Sequence, residues 1–226
     1  MVTDIPWAEI LPAGVAVALS PVPIMAVILA LFSQQSRRNG LVFLAGWVMG
    51  LMALVTILLY AVDLSKAAFA EQWLPIVSVL KILLGMVFIV LAVVQWRRRP
   101  AADEMRPLPT WTARLEAFSP VKTLLVAIGL CVINPKNLTL TLAVMLALTY
   151  AGTPTWQNWL GLSVFIVVGS LTIAAPVLYR LFAGSQADTK LADAKQWLQA
   201  NSTTVMAVVF LLMGALLIGK GLEGIL

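Results

Sequence analysis

The motif Asn134-Pro135-Lys136-Asn137 places a positive charge inside a long apolar stretch. An ammonium at the centre of a membrane helix costs about 2.5 to 3.5 kcal/mol on insertion scales unless it is paired or hydrated. None of the long apolar stretches contains Asp or Glu, so they offer no acidic partner. We therefore predict that Lys136 contacts a carboxylate or phosphate of a substrate. The alternatives are carbonyls freed at Pro135 or a side chain that snorkels to the interface.

A second motif, Ser20-Pro21-Val22-Pro23, interrupts another apolar stretch with two prolines in one turn. Proline removes a backbone hydrogen bond and clashes with the carbonyl four residues before it, so the helix is expected to unwind here and start again. Proline also favours the first turn of a helix, and Ser or Asn favours the residue before that turn. Each motif therefore predicts the N-terminus of a half-helix, whose free N–H groups and partial positive charge suit an anionic ligand.

The side chains that the sequence lacks argue against several kinds of chemistry. There is no histidine and one cysteine, Cys131, so there is no His-based metal site, no Ser-His-Asp or Cys-His arrangement and no disulfide within the chain. Without carboxylates in the apolar stretches, a proton relay of the usual kind is poorly supported. We predict that the protein is not an enzyme and uses no metal and no cofactor.

The elements that must position these motifs are membrane-spanning helices. Of the 226 residues, 61% are hydrophobic and 11% are charged, and the mean hydropathy is +0.97. A hydrocarbon core about 30 Å thick needs about 20 apolar residues per helix. Six stretches meet this length: Ile10–Phe32, Leu41–Val62, Leu74–Trp96, Leu124–Tyr150, Trp159–Phe182 and Ser202–Gly219. Because these stretches lack the alternation of a membrane β-barrel, the predicted fold is an all-α integral membrane protein with six transmembrane helices.

The two proline motifs suggest that the chain is a repeat. Pro21 and Pro135 stand 114 residues apart, about half of the chain, and each lies within an apolar stretch. Three spans per half is an odd number, so the second half enters the membrane in the opposite sense, and the repeat is inverted. We predict a single membrane domain over residues 1–226. It has three-helix repeats at 1–96 and 121–226, a cytoplasmic linker at 97–120, and helices one and four broken at proline.

The basic residues predict the orientation in the membrane. Eleven of them fall on one side of the predicted spans: Arg37, Arg38, Arg97, Arg98, Arg99, Arg106, Arg114, Lys122, Arg180, Lys190 and Lys195. Lys66 and Lys220 fall on the other side, and Lys81 is expected to snorkel outward from the third span. Positive residues stay cytoplasmic, so this multi-pass chain is predicted to keep both termini outside. The same charges are expected to contact anionic headgroups, and we predict no nucleic-acid partner.

Glycines predict where helices approach closely. Gly46 and Gly50 have the small-xxx-small spacing that allows two backbones to come into contact. Such faces serve packing within one chain and would equally permit a homodimer, so the sequence leaves the oligomeric state open.

The chain resembles the LysE superfamily of six-helix exporters, whose amino-acid-exporting members carry a similar Asn-Pro-Lys in helix four. It is most similar to the actinobacterial GAP/Sap branch. The stretches that carry this resemblance are Ala18-Leu19-Ser20-Pro21-Val22-Pro23-Ile24, Arg37-Arg38-Asn39-Gly40, Phe43-Leu44-Ala45-Gly46-Trp47 and Asn134-Pro135-Lys136-Asn137. That branch is associated with moving peptidoglycolipids or sulfolipids to the mycobacterial surface, often beside a larger lipid transporter. The resemblance therefore implies a bacterial cytoplasmic membrane protein that exports an anionic or amphipathic (glyco)lipid.

These observations together predict a secondary exporter that works by alternating access. Its predicted substrate site contains Lys136, Asn134, Asn137, Pro135, Ser20, Pro21 and Pro23. Lys136 would contact the anionic head, the two asparagines would donate hydrogen bonds, and the first motif would shape the opposing side. One alternative is an accessory scaffold that steadies a larger lipid exporter and moves nothing itself. Another is an exporter of amino acids or other small molecules, although the lack of buried acidic groups argues against lysine as the substrate.

Overall fold

The computed structural model describes residues 5–66, 74–99, 119–151 and 154–223 of the chain. Over these residues the backbone forms eight α-helices and no strand, which confirms the predicted all-α fold for this part of the chain. The helices are α1 Trp7–Ala18, α2 Pro21–Leu31, α3 Ser36–Lys66, α4 Leu74–Arg97, α5 Pro120–Val132, α6 Pro135–Ala151, α7 Thr155–Ala183 and α8 Ala187–Glu223.

The described residues contain three to five candidate membrane spans. Three single helices are long and apolar enough: Ser36–Tyr60 within α3, and all of α7 and α8. Two more candidates are bent pairs, α1 with α2 at 50° and α5 with Pro135–Thr149 of α6 at 61°. The predicted third span lies in α4, which is not one of these candidates. The six-span inverted repeat and its halves, 1–96 and 121–226, therefore stay a prediction, and most of the predicted linker lies outside the described residues.

The two bent pairs break at the predicted prolines. The first pair is interrupted between Ala18 and Pro21, and the second between Val132 and Pro135. Proline alone does not explain the breaks, because Pro176 lies inside α7 without ending it. What distinguishes the two breaks is the neighbouring sequence, a second proline in one case and flanking asparagines in the other, which offers the backbone other hydrogen-bond partners.

The first of two compact units comprises Met1–Leu59 and Pro107–Gln199. Within it α1 packs against α6 and α7, and α2 packs against α7. The predicted glycine pair brings α3 onto α5: a Cβ at Gly46 would lie 2.8 Å from the carbonyl oxygen of Leu124, and a Cβ at Gly50 would lie 2.8 Å from Cys131 Cβ. Any side chain at either glycine would force these helices apart.

The second unit comprises Tyr60–Arg106 and Ala200–Leu226, so that α4 packs against the latter part of α8. A Cβ added to Gly85 or to Gly214 would lie 2.8 Å from the carbonyl oxygen of the other glycine. One heptad away on each helix, a Cβ at Gly221 would lie 2.8 Å from the carbonyl oxygen of Ser78. Because the contact moves back along α4 as it moves forward along α8, the two helices are antiparallel. Small residues at heptad spacing hold them together at close range.

Candidate functional site

The first break leaves carbonyls at the end of α1 without their helical partners. A proline has no N–H for the carbonyl four residues before it, so Pro21 frees the Val17 carbonyl and Pro23 frees the Leu19 carbonyl. The hydroxyl of Ser20 donates to the Val17 carbonyl at 2.8 Å, which satisfies the first of these acceptors. The carbonyl of Leu19 needs a donor from elsewhere in the fold.

Ser20 precedes α2 at the N-cap position, yet its side chain does not cap that helix. An N-cap hydroxyl ordinarily accepts a hydrogen bond from the N–H of the second or third helical residue. The third residue of α2 is Pro23, which has no N–H to give. The N–H of Val22, the second residue, makes no hydrogen bond to Ser20 Oγ either, so the acceptor lone pairs of this oxygen are open to a donor from another element.

In the second break, the two asparagines of the motif form hydrogen bonds with backbone groups of the break itself. Asn134 caps α6, because its Oδ1 accepts a hydrogen bond from the backbone N–H of Lys136 at 3.0 Å. Asn137 Nδ2 donates to the carbonyl of Cys131 at 3.1 Å and so bridges the end of α5 to the start of α6. Asn137 is fully buried, and its Oδ1 accepts no hydrogen bond from any of the described residues.

Lys136 joins the two breaks. Its Nζ donates to the Ala16 carbonyl at 2.6 Å, to Ser20 Oγ at 2.7 Å and to the Leu19 carbonyl at 3.2 Å. An ammonium has three N–H groups, so these three acceptors use all of its donors. The side chain is 3% exposed, which places the charge inside the first unit rather than at its surface.

The junction, where Lys136 of the second break meets its acceptors in the first, pairs a basic side chain with uncharged oxygens. None of the three acceptors of Lys136 carries a formal charge, so the ammonium is hydrogen-bonded without being neutralised. The C-terminal end of a helix carries about half a negative charge, and the carbonyl of Ala16 lies in the last turn of α1. That partial charge attracts an ammonium, but none of the hydrogen-bond partners of Lys136 is acidic.

The turn of the second break opens to the surface. Ile133 is 81% exposed, Pro135 is exposed and Asn134 is half-buried, whereas the neighbouring Lys136 is buried. Across the junction, Val22 is 38% exposed between two buried prolines. A ligand that reached the Asn134-Pro135 turn would therefore be one residue in sequence from the buried ammonium.

The structure brings together only part of the predicted substrate site. Lys136 and Ser20 are in direct contact, whereas Asn134 and Asn137 each form hydrogen bonds within their own break. Pro21, Pro23 and Pro135 contribute by interrupting the backbone. The substrate roles of all seven residues stay a prediction, because no ligand contact tests them.

Sequence reasoning missed the carbonyls that hold Lys136. Carbonyl partners were expected only as an alternative and only at Pro135, whereas they come from the first break, at Ala16 and Leu19. The signal for one of them was present in the sequence, since Pro23 must free the carbonyl of Leu19 four residues before it. What the sequence did not show is that the second motif would lie beside the first.

A known protein family matches this chain over most of its length. The family model described as "Sap, sulfolipid-1-addressing protein" matches residues 10–223, which is nearly the whole chain and includes both breaks. The curated proteins and the solved structures contain no match to this chain.

Proposed function

We propose that this chain, which belongs to the Sap (sulfolipid-1-addressing protein) family, exports an anionic lipid through the junction of its two broken helices. The observation that carries the proposal is the basic side chain of Lys136, which is buried between the breaks and held by uncharged oxygens. A sulfolipid, the kind of lipid in the family's description, is an anion of the type that such a charge attracts.

In the proposed mechanism, the anionic head of the lipid replaces the uncharged oxygens that now accept hydrogen bonds from Lys136. A sulfate or phosphate adds the Coulomb attraction of opposite charges to its hydrogen bonds with an ammonium, which an uncharged oxygen does not offer. An anionic head that enters beside Pro135 therefore competes with the oxygens of Ala16, Leu19 and Ser20 for Lys136. Lys136 belongs to α6 and its present partners belong to the first break, so the exchange also releases one break from the other. We assign this release to the step that changes access from one side of the membrane to the other.

The remaining predicted site residues have groups to offer to the head. An amide NH₂ has two N–H donors, and Asn137 uses one of them on the Cys131 carbonyl. The buried Oδ1 of Asn137 is an acceptor suited to a hydroxyl of a (glyco)lipid head. Ser20, Pro21 and Pro23 would form the opposing wall, with Asn134 and Pro135 at the entrance.

The finer parts of the proposal come from the sequence. They are a secondary exporter of the LysE superfamily type, six spans in inverted repeats, both termini outside the bacterial cytoplasmic membrane, and no enzymatic activity. A larger lipid transporter and a second copy of the chain are the proposed protein partners. The two rival functions are the accessory scaffold and the exporter of amino acids or other small molecules.

The test is lipid translocation by the purified chain in liposomes. Two fluorescent lipids with identical tails, one with a sulfated sugar head and one with a phosphocholine head, are followed by chemical quenching in the outer leaflet, with proton or sodium gradients in either direction. We expect the sulfated lipid to be translocated at least tenfold faster than the zwitterionic lipid. Lys136→Met should abolish this difference, because the variant removes the positive charge and keeps the volume.

Lys81→Met is the matched control, because it removes the other lysine of a predicted span, and Lys81 belongs to the second unit. It should translocate at the wild-type rate. Absence of translocation under every gradient would favour the scaffold. Efflux of a radiolabelled amino acid without lipid movement would favour the small-molecule exporter. A wild-type rate in Lys136→Met would refute the role assigned to Lys136.

A further inference from the structure

A cavity lies at one end of the helix pair in the second unit. The pair of α4 and α8 has small residues one heptad apart, and the series continues from Gly85 to Ala92 on α4 and from Gly214 back to Ala207 on α8. Both alanines are 4% exposed and form the floor of a cavity of about 220 Å³. The close contact seen at the glycines is therefore followed, one heptad on, by an open groove.

The groove is apolar along its length and basic at one end. Its walls include Val93, Val208 and Leu211, each between 45% and 52% exposed, and Trp96, which is 47% exposed. Arg97 is the one charged residue among those that line it. An apolar channel with a single cation at its end matches the shape of an amphipathic anion, in which one tail carries a charged head.

The last described residues at this end of α4 are basic. Arg97 is followed by Arg98 and Arg99, and the guanidinium of Arg99 lies 4.3 Å from the centroid of the Trp96 ring. The sequence has no Asp or Glu from Leu74 to Arg99 or from Ala200 to Leu222. These two described segments therefore place no acidic side chain beside Arg97, and the negative charge of a ligand would complement its guanidinium.

We propose that this groove binds one anionic phospholipid of the surrounding bilayer. One acyl chain lies over Ala92 and Ala207, and the phosphate pairs with Arg97, whose planar guanidinium binds phosphate through two parallel hydrogen bonds. Trp96 stands beside Arg97 at the depth where tryptophan meets lipid headgroups. The site belongs to the second unit and does not depend on the transport site at Lys136, so the two proposals stand or fall separately.

The test is lipid retention by the full-length chain in native mass spectrometry. The delipidated protein in detergent is titrated with phosphatidylglycerol and with phosphatidylcholine of identical acyl chains. We expect one phosphatidylglycerol per chain, retained at least tenfold more strongly than phosphatidylcholine. Arg97→Gln should reduce that preference at least fivefold, whereas Arg98→Gln, at a neighbour that does not line the groove, should leave it within twofold.

A second variant tests the apolar part of the groove. Val93→Phe narrows the groove from an exposed wall position, and Val90→Phe adds the same ring at a 60% exposed position of α4 that does not line it. Val93→Phe should lower retention of phosphatidylglycerol at least fivefold, and Val90→Phe should leave it unchanged. Equal retention of the two lipids by the wild type, or no effect of either Arg97→Gln or Val93→Phe relative to its control, would overturn the proposal.

Discussion

The break at Ser20 to Pro23 and the break at Asn134 to Asn137 bend their helix pairs by similar angles, 50° and 61°. They differ in the polar groups that each leaves available for hydrogen bonds with other segments. The first break exposes oxygens, the carbonyls of Ala16 and Leu19 and the hydroxyl of Ser20, and the second supplies the ammonium of Lys136 that reaches all three. Two interruptions of the same kind have thus become complementary, one an acceptor and the other a donor.

The two breaks also differ in how the helix that follows is capped. Asn134 accepts from the N–H of Lys136, so the second break satisfies its own first turn and leaves the lysine side chain to reach outward. Ser20 makes no such bond to α2, in which Val22 is the corresponding residue, and its oxygen accepts from Lys136 of the other break. The residues around a helix-breaking proline thus decide which polar groups a break satisfies itself and which it leaves for another segment.

Removing the donor should have the largest effect on stability. Three hydrogen bonds from a charged donor contribute about 1.5 to 3 kcal/mol each. Burying the ammonium costs about 2.5 to 3.5 kcal/mol, which offsets part of this gain. We expect Lys136→Met to lower the free energy of unfolding by about 3 kcal/mol, because it leaves the carbonyls of Ala16 and Leu19 without this donor and removes the hydrogen bond that Ser20 Oγ accepts. Reversible unfolding in mixed micelles checks the value, and an unchanged stability would show that the breaks do not depend on each other.

Lys81→Met serves as the reference for that measurement. Lys81 is half-buried, and its substitution should change the unfolding free energy by less than about 0.5 kcal/mol, as is usual away from special contacts.

Removing one acceptor should have a smaller effect. Ser20→Ala deletes one partner of Lys136 and the hydrogen bond to the Val17 carbonyl, while the carbonyls of Ala16 and Leu19 remain in place. We expect a loss of about 1 to 2 kcal/mol. In the Lys136→Met background the same substitution should cost about 1 kcal/mol less, because contacting residues couple in a double-mutant cycle. Strictly additive losses would mean that the ammonium and the hydroxyl do not interact.

The sequence predicts much of the fold of this protein, because its signals are local. Apolar length and proline position suffice to place α1, α2, α5 and α6 and their interruptions. The glycine pair in α3 likewise makes the close contact that its spacing predicts. These features depend on residues a few positions apart, where the chain geometry is already fixed.

What the sequence did not supply are the contacts between distant segments. Lys136 and Ala16 are 120 residues apart, and only the packing of α6 against α1 brings them together. The rule that proline frees the carbonyl four residues back would have identified the acceptor at Leu19, although not which donor reaches it. The groove between α4 and α8 is a similar case, because it depends on the alignment of two segments that are distant in sequence, with Ala92 and Ala207 lying 115 residues apart.

The most direct test of the exchange at Lys136 is the distance between its Nζ and the carbonyl carbon of Ala16, measured with and without an anionic lipid. Solid-state NMR of the chain in phosphatidylcholine bilayers, labelled with ¹⁵N at lysine side chains and ¹³C at alanine carbonyls, reports this distance as dipolar dephasing. The spectrum of Lys136→Met identifies the signal. We predict strong dephasing in phosphatidylcholine alone and its loss when a sulfated lipid is added at a concentration that saturates transport. Dephasing that persists at that concentration would contradict the account.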